Sequence, residues 1–241
     1  MRVLDQLEPK RVFSFFEDLC AIPHGSGNTK AISDYCVKFA HDRGLEVHQD
    51  SLNNIVIVKP ATPGYEAAPT VIVQGHLDMV AEKTPESTIN FLTDGLELMV
   101  DGDFVRAKGT TLGGDDGIAV AMALAVLDSD DLAHPRLECL FTVDEETGMD
   151  GAVGFDASIL KGKRLLNIDS EEEGILTVSC AGGAHAAAHI EMHANECALD
   201  SAEIRISGLK GGHSGAEIDK GRANATITLG RVLQALVDEL E

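Results

Sequence analysis

The run at residues 70–74, Thr-Val-Ile-Val-Gln, constrains this chain most, because it is β-branched and apolar on both faces. A strand without polar alternation has no face to give to water and must be covered on both sides. Residues 136–143 and 164–168 read as two more inner strands, and 45–49 and 55–59 as shorter ones joined by a turn-rich 50–54. Helices lie between. Residues 9–21 set Val12, Phe13, Phe16 and Leu19 at helical spacing, and 29–43 form a second helix closed by Gly44. Residues 118–127 are Ala-rich and apolar almost all round, which suits a buried helix. Helices alternating with buried strands up to about residue 180 predict an α/β layered domain. Further on, 175–178, 184–192 and 202–207 look like alternating strands, and 222–241 like a helix. That pattern predicts an α+β unit with a mainly antiparallel sheet, beginning near Gly182-Gly183.

Charge excludes some partners. Nineteen basic residues against 40 acidic ones leave −21, which repels phosphate backbones and anionic lipid heads. Neither nucleic acid nor a membrane surface is expected as a partner. No apolar run reaches about 18 residues, so no membrane span is expected, and the opening MRVLDQLEPKRVFSFFEDL lacks the apolar core of a signal peptide. Cys20, Cys36, Cys139, Cys180 and Cys197 are odd in number and widely spaced, without a C-x-x-C pair. They are expected as reduced, mostly buried thiols of a cytoplasmic protein.

Four clusters of acids, one with a histidine, fall at or just after the ends of predicted buried strands, where ligands sit in open α/β sheets. His76 and Asp78 are two apart in Gln74-Gly75-His76-Leu77-Asp78, so on an extended chain they share a side. A carboxylate beside a metal-bound imidazole fixes its ring. Gly113-Gly114-Asp115-Asp116-Gly117 opens the Ala-rich helix. One aspartate there is explained as a helix cap, whereas a second invites a cation. Asp144-Glu145-Glu146 puts three acids directly after an apolar strand, a repulsion that a cation would offset. Asp169 stands at the tip of the 164–168 strand, ahead of Glu171-Glu172-Glu173, which read as a solvated loop. One nitrogen with several oxygens suits zinc, manganese or cobalt better than magnesium. Two such ions about 3.5–4 Å apart would polarise a carbonyl and activate water, with a spare glutamate as general base.

The order H-x-D, G-G-D-D-G, E-E-x-G and I-D-S-E-E-E-G resembles the two-metal metallopeptidase family of carboxypeptidase G2-like enzymes and dipeptidases. The likeness is closer to its aminoacyl-histidine dipeptidase branch and covers essentially the whole chain. It is carried by Ile22-Pro23-His24, Gln74-Gly75-His76-Leu77-Asp78-Met79-Val80, Gly148-Met149-Asp150-Gly151-Ala152, Asp169-Ser170-Glu171-Glu172-Glu173-Gly174, Cys180-Ala181-Gly182-Gly183 and Gly208-Leu209-Lys210-Gly211-Gly212-His213-Ser214-Gly215. The resemblance implies a three-layer α/β/α metallopeptidase domain, incomplete, over 1–182, and the first part of an α+β lid or dimerisation domain over 183–241. It implies two divalent metal ions, with zinc foremost and manganese or cobalt as alternatives. His76 and Asp169 would ligate one ion, Glu146 the other, and Asp115 would bridge them, leaving Asp116 as a ligand or only a cap. Asp78 would orient His76, Glu145 would be the general base, and His213 would stabilise the substrate's carbonyl or carboxylate from the lid.

The resemblance also implies dipeptide substrates, Xaa-His among them, and a homodimer formed through the lid. In that family a final metal-binding histidine comes from chain that returns after the lid, so a C-terminally truncated chain is expected here. His185, His189 and His193 read as strand residues rather than a second metal site. His24 is given no role, and His41, His48 and His134 are expected at the surface. Two rival readings are an aminoacylase or deacetylase of the same superfamily, and a fragment without activity that binds metal weakly or only dimerises.

Overall fold

The computed structural model describes residues 2–170, 173–180, 182, 186–193, 201–212 and 217–240. The chain divides into two compact units, Met1–Cys180 and Ala181–Glu241. In chain order the first unit holds α1 (Lys10–Cys20), α2 (Lys30–Asp42), β1 (Glu46–Gln49), β2 (Ile55–Lys59), β3 (Val71–His76), β4 (Leu98–Asp101), β5 (Phe104–Ala107), α3 (Gly114–Asp128), β6 (Leu137–Thr142), α4 (Asp150–Gly154) and β7 (Arg164–Asn167).

Five strands form one mixed sheet in the order β1-β2-β6-β3-β7. β1, β2 and β6 are antiparallel neighbours, while β6, β3 and β7 run parallel. Parallel strands end on the same edge. His76 at the end of β3, the turn after β6 and Asp169 just past β7 are therefore brought together, although more than ninety residues separate the first from the last.

The core explains the absence of polar alternation. Along β2, Ile55 and Ile57 face a cluster with Phe16, Leu19, Ile32, Phe39, Leu124 and Phe141, supplied by α1, α2, α3 and β6. Val56 and Val58 face the other way, onto Ile72 and Leu140, with Phe155 and Leu160 over them. β6 is buried at all six residues. α3 is buried on several sides, as its Ala-rich sequence requires, and small residues let it lie close to β3. Gly44 takes φ 65° just past α2, the left-handed closure expected of it.

Several features depart from the sequence reading. β7 is an edge strand exposed at all four positions, not an inner one, because among the described residues it pairs with β3 alone. A β4–β5 hairpin, unforeseen, turns at Gly102 with φ 60°. His134 is buried, not on the surface, because the loop at Thr62 folds over it: the Thr62 N–H donates to the His134 carbonyl at 3.0 Å, and the His134 N–H to Thr62 Oγ1 at 2.9 Å. Cys20, Cys36 and Cys139 are free and buried, and burial pushes each thiol up to about 12. Cys180 is free but exposed, and Cys197 lies outside the described residues.

Among its described residues, the second unit contains α5 (Ala225–Leu240) and a 3-10 turn at Ile218–Lys220. α5 starts later than expected because Asn224 caps it, its Oδ1 accepting the Ile227 N–H at 3.0 Å. No strand forms in the described parts of 184–192 and 202–207, nor at 175–178 in the first unit. Alternation alone makes no strand, because a strand's N–H and C=O groups need a neighbouring strand to pair with. No helix of the described residues is long and apolar enough to cross a membrane.

Phe141 has no exposed surface and belongs to the core cluster that α1, α2 and α3 share with the sheet. Phe141→Ala should destabilise this unit by about 3–5 kcal/mol. Urea unfolding followed by far-UV circular dichroism measures the loss, and a loss under about 1 kcal/mol would contradict this core assignment.

Candidate metal centre

β3 ends on Gln74-Gly75-His76, and both Gly75 and His76 are buried. Gly75 is needed for a close approach, since a Cβ there would stand 2.6 Å from Asp116 Oδ2. Without a side chain in the way, Asp116 reaches in and accepts the His76 backbone N–H at 3.1 Å. Asp116 is therefore not a helix cap. The residues that open α3 are not helical, with Asp115 at φ −81°, ψ 111° and Asp116 at φ −112°, ψ 23°, and neither side chain caps the helix.

The imidazole of His76 is held from both ends. Nδ1 meets the Asp78 carbonyl oxygen at 3.0 Å and the Asp78 carboxylate at 3.4 Å. Nε2 faces Asp115 Oδ1 at 3.0 Å and Glu145 Oε2 at 3.9 Å.

The turn after β6 is tied to the same place. Asp144 adopts a left-handed φ of 55°, and the next two backbone N–H groups, of Glu145 and Glu146, donate to Asp78 Oδ1 and Oδ2 at 3.1 and 3.3 Å. Asn54, itself buried, fixes the other side of this turn. Its Oδ1 accepts the Val143 N–H at 3.2 Å and its Nδ2 donates to the Gly151 carbonyl at 3.0 Å. Gly151 has to be glycine here, as a Cβ would come within 2.6 Å of Asn54 Oδ1 and 2.7 Å of the Val143 nitrogen.

Two groups of donor atoms result, His76 with Asp116 and Asp169, and His76 with Glu145 and Glu146. Within each, one ligand atom per residue lies within 4.8 Å of the others. The electrostatics reflect the crowding. Burial, then the charge of Asp169, push the Asp116 carboxyl up to about 8. Burial, then Asp115, raise Asp169 to about 6, and the same two causes raise Glu146. For Asp78, burial acts upward, yet hydrogen bonds from His76, Ser26 and the Glu145 N–H bring it down to about 2. For His76, burial acts downward, but its bond to Asp78 and the charges of Asp78 and Asp116 lift it to about 10. A site where three carboxyls and an imidazole hold protons more tightly than usual has negative charge to spare, which a cation would neutralise. The donor set is one imidazole nitrogen and carboxylate oxygens without thiolate, and it fits zinc, manganese or cobalt.

Of the residues singled out from sequence, His76, Asp78, Asp115, Glu145, Glu146 and Asp169 meet here. His213 lies outside the described residues. Two contacts were not foreseen. Asp116 had been allowed for only as a ligand or a cap, and its backbone bond to His76 needs the glycine at 75. Ser26 donates its hydroxyl to Asp78 Oδ2 at 2.7 Å, a contact across 52 residues that no local pattern signals. His24, given no role, is buried beside the same loop, its Nδ1 at 2.6 Å from the Ile22 carbonyl, and burial lowers its pKa.

No family profile matches the chain. The cytosol non-specific dipeptidase of Escherichia coli (strain K12) is 41% identical over 100% of this chain and 50% of its own length. Among solved structures, aminoacylhistidine dipeptidase from Vibrio alginolyticus superposes with a TM-score of 0.74 at 40% identity, covering 98% of this chain and 49% of that one. A tripeptidase from Staphylococcus aureus shares the fold, with a TM-score of 0.57 at 24% identity over 67% of this chain and 43% of its own. The chain spans about half the length of the curated relatives it matches.

The crowding predicts a pH effect on the metal-free protein. The Asp116 carboxyl has its pKa raised in the folded state to about 8 from an ordinary value of 3.8. Above pH 4 the unfolded chain therefore gives up a proton that the folded chain retains, and stability falls as pH rises from about 4 to 8. Asp116→Asn removes that penalty. It should raise the melting temperature at pH 8 and leave it nearly unchanged at pH 4, which calorimetry in the presence of a chelator measures. An equal shift at both pH values would contradict the prediction.

Proposed function

The chain belongs to the family of the aminoacylhistidine and cytosol non-specific dipeptidases, and from that premise we propose that its centre serves metal-dependent hydrolysis of dipeptides, Xaa-His among them. The single observation that carries the reading is the convergence of His76 with carboxylates from the α3 entry, the β6 turn and the end of β7. In this reading His76 and Asp169 would hold one divalent ion, Glu146 would hold a second, and Asp115 would be the ligand shared between them. Asp115 is the better bridge of the two aspartates, since its side chain is 49% exposed and faces Nε2, whereas Asp116 is buried and occupied with the His76 backbone N–H. Zinc suits this ligand set, and manganese and cobalt do too. When bound, such ions supply Lewis-acid polarisation of the scissile carbonyl and acidify water at neutral pH.

The chain's own residues supply the rest. Glu145 is partly exposed, its carboxylate lies 3.9 Å from His76 Nε2, and its backbone is fastened to Asp78. A carboxylate so placed accepts a proton from the attacking water and returns it to the leaving amine. Asp78 keeps its charge and so holds His76 and the Glu145–Glu146 turn in place. His213 is assigned donation of a hydrogen bond to the substrate's carbonyl or carboxylate, on the family likeness of the Gly-rich 208–215 segment. Residues 1–182 are assigned to the catalytic domain and 183–241 to a lid through which two copies pair. A cytoplasmic location goes with this reading, given the free thiols and a relative named for the cytosol.

Loaded with zinc or manganese, the protein should release free amino acids from dipeptides. Glu145→Gln should retain the metal and lose about 10²–10⁴ in kcat. Unchanged kcat in that variant would remove Glu145 from the reaction. Cleavage of N-acetyl amino acids with dipeptides left intact would replace the dipeptidase with an aminoacylase.

A further inference from the structure

We propose that Ser26 is a positioning residue of the metal centre, setting the Glu145–Glu146 turn through Asp78; the inference rests on the metal reading above. Asp78 is 1% exposed, so its carboxylate has almost no water and needs donors from the protein. Oδ1 takes the Glu145 N–H at 3.1 Å and stands 3.4 Å from His76 Nδ1. Oδ2 takes the Ser26 hydroxyl at 2.7 Å and the Glu146 N–H at 3.3 Å. The serine makes the shortest of these contacts.

The two amide bonds are longer, and they belong to the two residues assigned as base and ligand. The imidazole of His76 has a second acceptor in the Asp78 carbonyl at 3.0 Å. The turn is also held at its flanks by Asn54 and Gly27, but among the described residues the Glu145 and Glu146 N–H groups have no other acceptor. Rotation of the Asp78 carboxylate would therefore displace Glu145 and Glu146 more than it would displace His76.

Ser26 is well held for this task. Its N–H donates to the Met79 carbonyl at 3.2 Å, and the Met79 N–H donates to the His24 carbonyl at 3.2 Å, so the 24–26 loop runs beside the chain that follows Asp78. One residue on, the Gly27 N–H donates to Asp144 Oδ1 at 2.7 Å and fastens the same loop to the start of the turn. The loop thus touches both the strand end that carries His76 and the turn that carries the two glutamates. From this loop it is the Ser26 hydroxyl that reaches the carboxylate between them, on the oxygen that His76 does not face.

Ser26→Ala tests this, because alanine keeps the backbone bonds that hold the loop and removes only the hydroxyl. Two readouts separate positioning from general destabilisation. In the metal-free protein, amide hydrogen exchange at Glu145 and Glu146 should quicken at least tenfold relative to amides of β2. In the cobalt-loaded protein, the visible absorption band should change, and affinity for Co²⁺ should fall about 10–100-fold. Ser26→Thr, which restores a hydroxyl, should recover both. Val58→Ala, in the apolar cluster on the other face of the sheet, should lower the melting temperature without changing either readout. Wild-type exchange and wild-type Co²⁺ affinity in Ser26→Ala would overturn the proposal, as would losses that threonine fails to recover. Should the wild-type protein take up no Co²⁺, the metal reading fails, while the exchange measurement still decides whether Ser26 holds the turn.

Discussion

A carboxylate taken out of water has to be met by donors, and at the edge of the sheet Asp78 gathers its donors from separate segments of the chain. Its donors come from the 24–27 loop and the turn after β6, and the imidazole of His76 lies against it. Removing any of them would leave buried charge unmatched, so the three segments are bound to one geometry. The fold sets up this arrangement through the parallel run of β6, β3 and β7, which delivers the chain to one edge three times. The centre is a consequence of strand direction first and of side-chain chemistry second.

The opposite demand acts on Asp116, Asp169 and Glu146. Their carboxyls are pushed together with too few donors, and all three hold their protons more tightly than usual. In a metal-free protein this arrangement would weaken the fold; in the proposed reading, divalent cations would turn it into a source of affinity. Gly75 and Gly151 serve the same end, because each removes a side chain where another group must come close: the Asp116 carboxylate at one, the Asn54 amide and Val143 backbone at the other.

Much of this was legible in the sequence, for physical reasons that differ by element. β2, β3 and β6 could be read because strands covered on both faces cannot hide their apolar runs, and α3 because small apolar residues surround it. The Glu145 cluster stood out because like charges directly after an apolar strand repel, His76 and Asp78 because they are two apart, Asp115 because one cap does not account for a pair of aspartates, and Asp169 because it stands at a strand tip. Other parts were not legible. β7 carries apolar residues like an inner strand, but pairing decides exposure, and pairing is not local. The β4–β5 hairpin had a signal that went unused, the Gly102-Asp103 pair that forms its tight two-residue turn. Ser26 and the Asp116–His76 bond depend on tertiary contacts across 52 and 40 residues, for which the sequence offers no pattern. In the second unit, alternation suggested strands where none of the described residues pairs.

The central claim is that His76 and the surrounding carboxylates hold divalent ions. X-ray absorption at the zinc edge of the zinc-loaded protein tests it most directly, because the first shell reports ligand type without any assumption about activity. The account predicts a shell of nitrogen and oxygen only, at about 2.0–2.2 Å, with one imidazole and several carboxylates from the His76 groups. A sulfur ligand at about 2.3 Å, or zinc lost on dialysis, would contradict it.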